Sequence, residues 1–178
     1  MSIIEPLFYV PFLKISIENW QGKKKELMGL KEKHKDLFGR HQADHTDTNY
    51  HQDPHVLIEP ITNILSEELS LFLSAMSLES CSIKEAWYEQ ASQNDFHVVH
   101  SHGPKGYSSA CYIEFDKNEH TGTNFICPFA NFITGSCMTT AANVDEGDIV
   151  FFPSSLLHYT TPNTSSKKRL VLSLNLLI

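Results

Sequence analysis

The chain of 178 residues predicts a mainly β fold with packing helices, and three observations carry the prediction. From Ser82 onward, short apolar runs alternate with turn signals such as Asn94-Asp95, Gly103-Pro104, Lys117-Asn118 and Glu146-Gly147-Asp148. That is the grammar of a sandwich, jelly roll or barrel. The last stretch, Arg169–Ile178, alternates Leu170, Leu172, Leu174 and Leu176 with Arg169, Val171, Ser173 and Asn175, the period of two of a half-buried strand. Ahead of Ser82, apolar residues recur instead at three- and four-residue intervals, the period of a helix.

Taken in order, Ile3–Ile17 mixes apolar residues with Pro6 and Pro11 and reads as short extended pieces, since proline fits an edge or a bulge better than a central strand. Gly22–Phe38 sets Leu27, Leu30 and Leu37 among six lysines and reads as a broken surface helix with a solvated basic face. Gly39–Pro60 is polar and rich in turn residues, a long loop with short extended portions. Ile61, Ile64, Leu65, Leu69, Phe72, Leu73 and Met76 form the apolar stripe of one helix over roughly Glu59–Met76, laid against a sheet. The strands expected after it are Lys84–Gln90, Tyr107–Phe115, Asn124–Ile126, Ser136–Ala141, Asp148–Phe152, Leu157–Thr160 and Arg169–Ile178.

Composition bounds the function. A chain of this length has room for one ordinary core, and 41% apolar with 20% charged residues marks a folded domain rather than a disordered one. Lys plus Arg is 14 against 21 Asp plus Glu, a net charge of -7 that argues against a broad nucleic-acid surface. No apolar run approaches the length of a membrane span, and no basic leader precedes a hydrophobic segment, so the expectation is cytoplasmic. Cys81, Cys111, Cys127 and Cys137 form no CxxC pair. They read as reduced, with Cys111 and Cys137 as packing groups of the β core. In a cytoplasmic chain the Asn163-Thr164-Ser165 sequon goes unused.

The ten histidines carry the sharper signal. In a strand, residues two apart face the same way, so His100 and His102 can converge on a metal ion. His97 faces away if the strand is regular, into an outer shell or solvent. Gly103-Pro104 ends pairing after the histidines and opens a pocket mouth. His158, beyond a turn, a strand and the Pro153-Ser154-Ser155 bend, can return across a barrel to complete a three-imidazole set. Arg169 follows at the start of the last strand, where a guanidinium can grip an organic carboxylate with two parallel bonds. His41, His45, His51 and His55 read as a substrate-side loop, and His120 as a hairpin residue.

These segments resemble the 2-oxoglutarate and Fe(II)-dependent oxygenase superfamily. His100-Ser101-His102 with Tyr107–Phe115 is similar to its first metal-ligand region, and Glu146–His158 to its distal-histidine segment. Pro162-Asn163-Thr164 through Arg169 to Asn175 resembles its cosubstrate-binding turn and strand. The likeness is to small oxygenases with a prolyl-hydroxylase-like double-stranded β-helix (jelly-roll or cupin-like), and it covers Ser82–Ile178. It implies a single oxygenase-like domain over 1–178, with a helix-and-loop support region at 1–81 and the β-helix core at 82–178.

It also implies Fe(II) as metal, 2-oxoglutarate as cosubstrate and dioxygen as oxidant. Cosubstrate decarboxylation to succinate would be coupled to hydroxylation of a C–H bond in an unidentified small-molecule or peptide substrate. By motif position, His100 is the first ligand and His158 the distal one. His102 stands where the superfamily has a carboxylate, which removes a negative charge from the ligand set. Asp95, Glu114 and Asp116 could replace it only with a change of register. Arg169 takes the distal carboxylate of 2-oxoglutarate, with Ser173 and Tyr112 as hydrogen-bonding companions, while Val171 stands where relatives often carry serine. Two other classes compete. One is a three-histidine metal enzyme working without 2-oxoglutarate, a dioxygenase or a hydrolase; the other is a domain that binds an anionic ligand through Arg169.

Overall fold

The computed structural model describes residues 8–41, 45–50, 52 and 54–178. The expectation for Met1–Leu7 and for His51 falls outside them.

The apolar stripe before Ser82 folds into two helices, not one. A turn of 3-10 helix at Pro54–Leu57 leads into α2 (Ile58–Ile64), and α3 (Ser66–Met76) follows a break at Leu65. Leu65 departs from helical geometry (φ -102°, ψ 20°) yet is fully buried. The break lets Ile61 and Phe72, both fully buried, meet one sheet. The basic segment forms α1 (Trp20–Lys33), which stops at His34 and continues as a short 3-10 turn, Lys35–Leu37. Leu27 and Leu30 anchor it. Its basic face is less solvated than expected. Lys23 lies 12% exposed between Glu67 and Glu68 of α3, at 2.7 and 2.9 Å, and Lys24 meets Glu146 at 2.7 Å.

Eleven strands complete the described fold. Three come from the chain before Ser82: β1 (Leu13–Ser16), β2 (Gly39–His41) and β3 (Thr46–Thr48). The others are β4 (Ser82–Ala91), β5 (His97–His100), β6 (Tyr107–Glu114), β7 (Asn124–Ile126), β8 (Thr139–Ala141), β9 (Asp148–Pro153), β10 (His158–Thr160) and β11 (Arg169–Leu177). The strand expected over Ser136–Ala141 is shorter. Cys137 is exposed before β8 and does not pack in the β core, whereas Cys111 is fully buried.

A seven-stranded antiparallel sheet runs β1-β9-β6-β11-β4-β3-β2, and a four-stranded sheet runs β5-β10-β7-β8. The leucine face of β11 packs with the helices in one core. The opposite face of the large sheet contributes Ala110, Tyr112, Val150, Phe152 and Val171 to a second core with Phe125 of the small sheet. Helices, large sheet and small sheet therefore form three layers, and Arg169, Val171, Ser173 and Asn175 belong to the inter-sheet side. Two turns hold the edges of this space. Gly106 (φ 85°) redirects the chain into β6 where an added Cβ would collide with the Leu176 carbonyl oxygen. The buried Asn163 donates to the carbonyls of Ala91 and Lys167 and so locks the turn before Arg169. A residue so enclosed could not carry a glycan.

Candidate metal centre

Antiparallel pairing of β5 with β10 sets His100 directly opposite His158. His102 lies just past β5, where its backbone N–H donates to the Ser154 carbonyl at 2.8 Å, so the bend before β10 captures the second member of the His-x-His pair. The Nε2 atom of His102 is 3.1 Å from that of His100 and 3.2 Å from that of His158. Each ring offers one nitrogen, and the three nitrogens all lie within 4.8 Å of one another.

Hydrogen bonds at the far side of each ring fix which nitrogen is offered. Nδ1 of His100 lies 2.8 Å from the Val98 carbonyl, and Nδ1 of His158 lies 2.9 Å from that of Leu156. A carbonyl only accepts, so Nδ1 carries the proton in both rings and Nε2 keeps its lone pair. The His102 ring is hydrogen-bonded by Asn175 and stacked on Trp87, with centroids 5.4 Å apart at 19°. Burial, together with the neighbouring imidazoles, pushes the His102 pKa down to about 4 and that of His158 to about 3. Neutral imidazoles with lone pairs turned toward one another repel unless a cation lies between them. Three imidazole nitrogens this close together are the donor set that would hold a single metal ion. The residues fit a metal ion.

No carboxylate joins this cluster among the described residues. Asp95 is held by Arg40 through two 2.6 Å bonds. Asp116 pairs with Lys167 at 2.8 Å. Glu114 lies opposite Leu170 on β6. Nor, among the described residues, do His41, His45 and His55 enter it: His45 stacks on Phe96, and His55 is exposed. His120 accepts the Asp116 N–H and closes its turn.

His97 departs from the sequence reading. His97 pairs with Thr160 while His100 pairs with His158, so three steps along β5 match two along β10. The extra residue is a β-bulge, and it rotates His97 to the side of His100. The two rings stack with centroids 4.0 Å apart at 14°. His97 also meets Glu89 of β4, Nδ1 to Oε2 at 2.7 Å.

Arg169 is 3% exposed. Its Nη1 donates to the Thr121 carbonyl at 3.1 Å, and its buried Nη2 has no hydrogen-bond partner. Burial lowers its pKa, with Glu89 and Tyr112 acting in the opposite direction. Tyr112 is buried and its pKa is raised by that burial; its hydroxyl is already engaged, donating to Thr123 Oγ1 at 2.9 Å. Ser173, opposite Trp87 and Ala110, lines a cavity of about 40 Å³ together with Glu89, Val171 and the three histidines. A second, open cavity of about 330 Å³ is bounded by Tyr50, Glu85, Trp87, Glu89, His100 and His102. Trp87, Glu85 and Glu89 escaped the sequence reading. Their signal was the alternation Glu85-x-Trp87-x-Glu89 along β4, which sets all three on one face.

A comparison with curated proteins found no match. Among solved structures, a Pseudomonas putida prolyl-4-hydroxylase superposes with a TM-score of 0.64 at 14% identity, covering 94% of this chain and 92% of its own. SnoN, a non-heme alpha ketoglutarate dependent epimerase from nogalamycin biosynthesis, gives 0.73 at 10% identity over 93% and 77%. A viral collagen prolyl hydroxylase from Paramecium Bursaria Chlorella virus-1 gives 0.60 at 12% over 94% and 96%. At such identities the likeness is one of fold, and it identifies the two facing sheets as the expected double-stranded β-helix, or jelly roll. The family described as "Putative 2OG-Fe(II) oxygenase" matches residues 85–175, a span that runs from β4 to β11 and contains all three clustered histidines and Arg169. The chain belongs to that family.

Proposed function

We propose that the protein is a mononuclear metal enzyme whose ion is held by His100, His102 and His158, and that it oxidises a small substrate with dioxygen without needing 2-oxoglutarate. The observation that carries this reading is the donor set: three imidazoles and, among the described residues, no carboxylate. The tight inner cavity supports it. At about 40 Å³ it suits one or two waters and falls far below the roughly 300–1,000 Å³ of ordinary ligand sites. Bound there, an iron ion would supply Lewis acidity and redox coupling to dioxygen. The chain's own residues do the rest. The Nδ1 bonds of His100 and His158 hold two lone pairs on one point, and Trp87 fixes the plane of His102. Phe152, Ala110 and Val171 keep bulk water from the inner side. The open cavity beside Trp87 and Tyr50 admits the substrate.

A second reading, 2-oxoglutarate-dependent hydroxylation, is favoured by one observation: the buried Arg169 Nη2 with no partner. An organic carboxylate would satisfy that atom, with Ser173 on the same strand face. Anaerobic loading with Fe(II), titration with 2-oxoglutarate and controlled addition of oxygen separate the two. The proposed function predicts iron retention and oxygen consumption that 2-oxoglutarate does not stimulate, with no succinate above the metal-free control. Stoichiometric succinate would install the second reading in its place. Zinc retained in preference to iron, with hydrolysis, would overturn both.

A further inference from the structure

The set of charges around the three histidines is incomplete without Glu89. A divalent ion bound by two histidines and a carboxylate keeps one net positive charge, whereas three neutral imidazoles leave it with two. Arg169 adds another cation nearby. Glu89 borders both cavities that the histidines line, and it stands on β4 opposite Val171, two residues along β11 from Arg169. Its Oε2 accepts from His97 Nδ1 at 2.7 Å, and the bulge in β5 lays the His97 ring on that of His100.

We propose that Glu89 is the counter-charge of the metal centre: bonded to His97, whose ring lies on that of His100, it supplies from outside the ligand set the negative charge that three imidazoles lack. This inference rests on the metal site of the proposed function. A lone buried carboxylate would take up a proton rather than remain charged. Burial does oppose the ionisation of Glu89, but the His97 hydrogen bond and the nearby Arg169 prevail, and its carboxyl stays below the usual range. The carboxylate missing from the donor set has moved one shell outward, onto the strand that faces Arg169. Glu89 is thus a positioning residue that acts through His97 and His100, not a ligand.

A purely structural role, pinning β5 of the small sheet to β4 of the large one, makes a different prediction. Counter-charge acts more strongly on a trivalent than on a divalent ion. Wild type, Glu89→Gln and Glu89→Asp should be loaded with iron, and the Fe(III)-to-Fe(II) affinity ratio read from spectroelectrochemical titration. Glu89→Gln should lower the ratio by about tenfold, and Glu89→Asp should restore most of it. A folded, loaded Glu89→Gln protein with a ratio within about twofold of wild type would overturn the proposal. Should Glu89→Gln fail to fold, His97→Phe decides. It keeps a ring on His100 but strips the carboxylate of its donor, and an unchanged ratio there is equally fatal. Failure of the wild type to bind iron would remove the proposed function as well. Normal iron binding with an unchanged ratio removes the counter-charge alone.

Discussion

His158 and Arg169 are both buried, yet their replacement should have opposite consequences for the molecule. Neutral His158 offers one of three converging nitrogens and is held by a single backbone bond. In His158→Ala, Fe(II) affinity should fall by at least about 100-fold while the inter-sheet core survives. Calorimetric titration with the melting curve alongside checks this, and retention of affinity within a few-fold would remove His158 from the site. Arg169 is a buried cation with one hydrogen bond and one orphaned donor. Its burial and its orphaned donor carry a desolvation cost that an apolar residue of similar volume removes. Arg169→Met should therefore melt at or above the wild-type temperature and keep its metal, while losing any affinity for organic carboxylates. A fall in stability of more than about 3 kcal/mol would show that Arg169 serves the fold instead.

At the scale of elements, the site depends on irregular connections more than on the strands they join. His102 is outside any strand and is positioned by the Ser154 carbonyl, and the bulge in β5 brings His97 beside His100. Gly106 turns the chain out of this region into β6 with φ at 85° and no room for a Cβ against Leu176. Gly106→Ala combines a left-handed conformation with a backbone clash, and should cost at least about 2 kcal/mol in chemical denaturation. The Gly103 turn, although φ there is 107°, has open space around the added Cβ. Gly103→Ala should therefore be the milder change, costing no more than about 1–2 kcal/mol of conformational strain. Equal losses at the two glycines would show that the contact with Leu176 does not matter.

For the whole molecule, the histidine centre makes stability depend on pH and on metal together. His102 and His158 have folded-state pKa values of about 4 and about 3, below the 6.5 of the unfolded imidazole. Between those limits the unfolded chain binds protons that the folded chain refuses, so stability rises with pH and falls on acidification from about 6.5 toward 4. The slope approaches about 1.4 kcal/mol per pH unit for each imidazole. Glu89 and Asp95, with carboxyls lowered by their partners from 4.5 and 3.8, add a further loss at more acid pH, below those unfolded values. An ion that binds the folded form alone, at 100 times its dissociation constant, should add about 2.7 kcal/mol at neutral pH. Denaturation of the metal-free protein across pH 4–7 tests the first part, and a flat profile would contradict the buried, neutral state of the two rings. Melting with and without Fe(II) tests the second.

The sequence by itself determined the β character, the inward leucines of Arg169–Leu177, the family motifs, and the three histidines as candidates. The motifs rest on resemblance and the others on local periodicity or spacing, which a strand's alternation converts directly into a shared face. Tertiary structure decided the rest. The stripe over Glu59–Met76 is continuous as a pattern, but packing on one sheet breaks it at Leu65. Strand period two sends His97 away from His100, and only its pairing against Thr160 reveals the inserted residue that reverses this. Tyr112 has the chemistry to help bind a cosubstrate, yet Thr123, eleven residues on, takes its hydroxyl. Glu89 was one polar residue of a strand until folding placed it between His97 and the neighbourhood of Arg169. Burial, charge compensation and hydrogen-bond competition are properties of groups distant along the chain, so no local pattern encodes them.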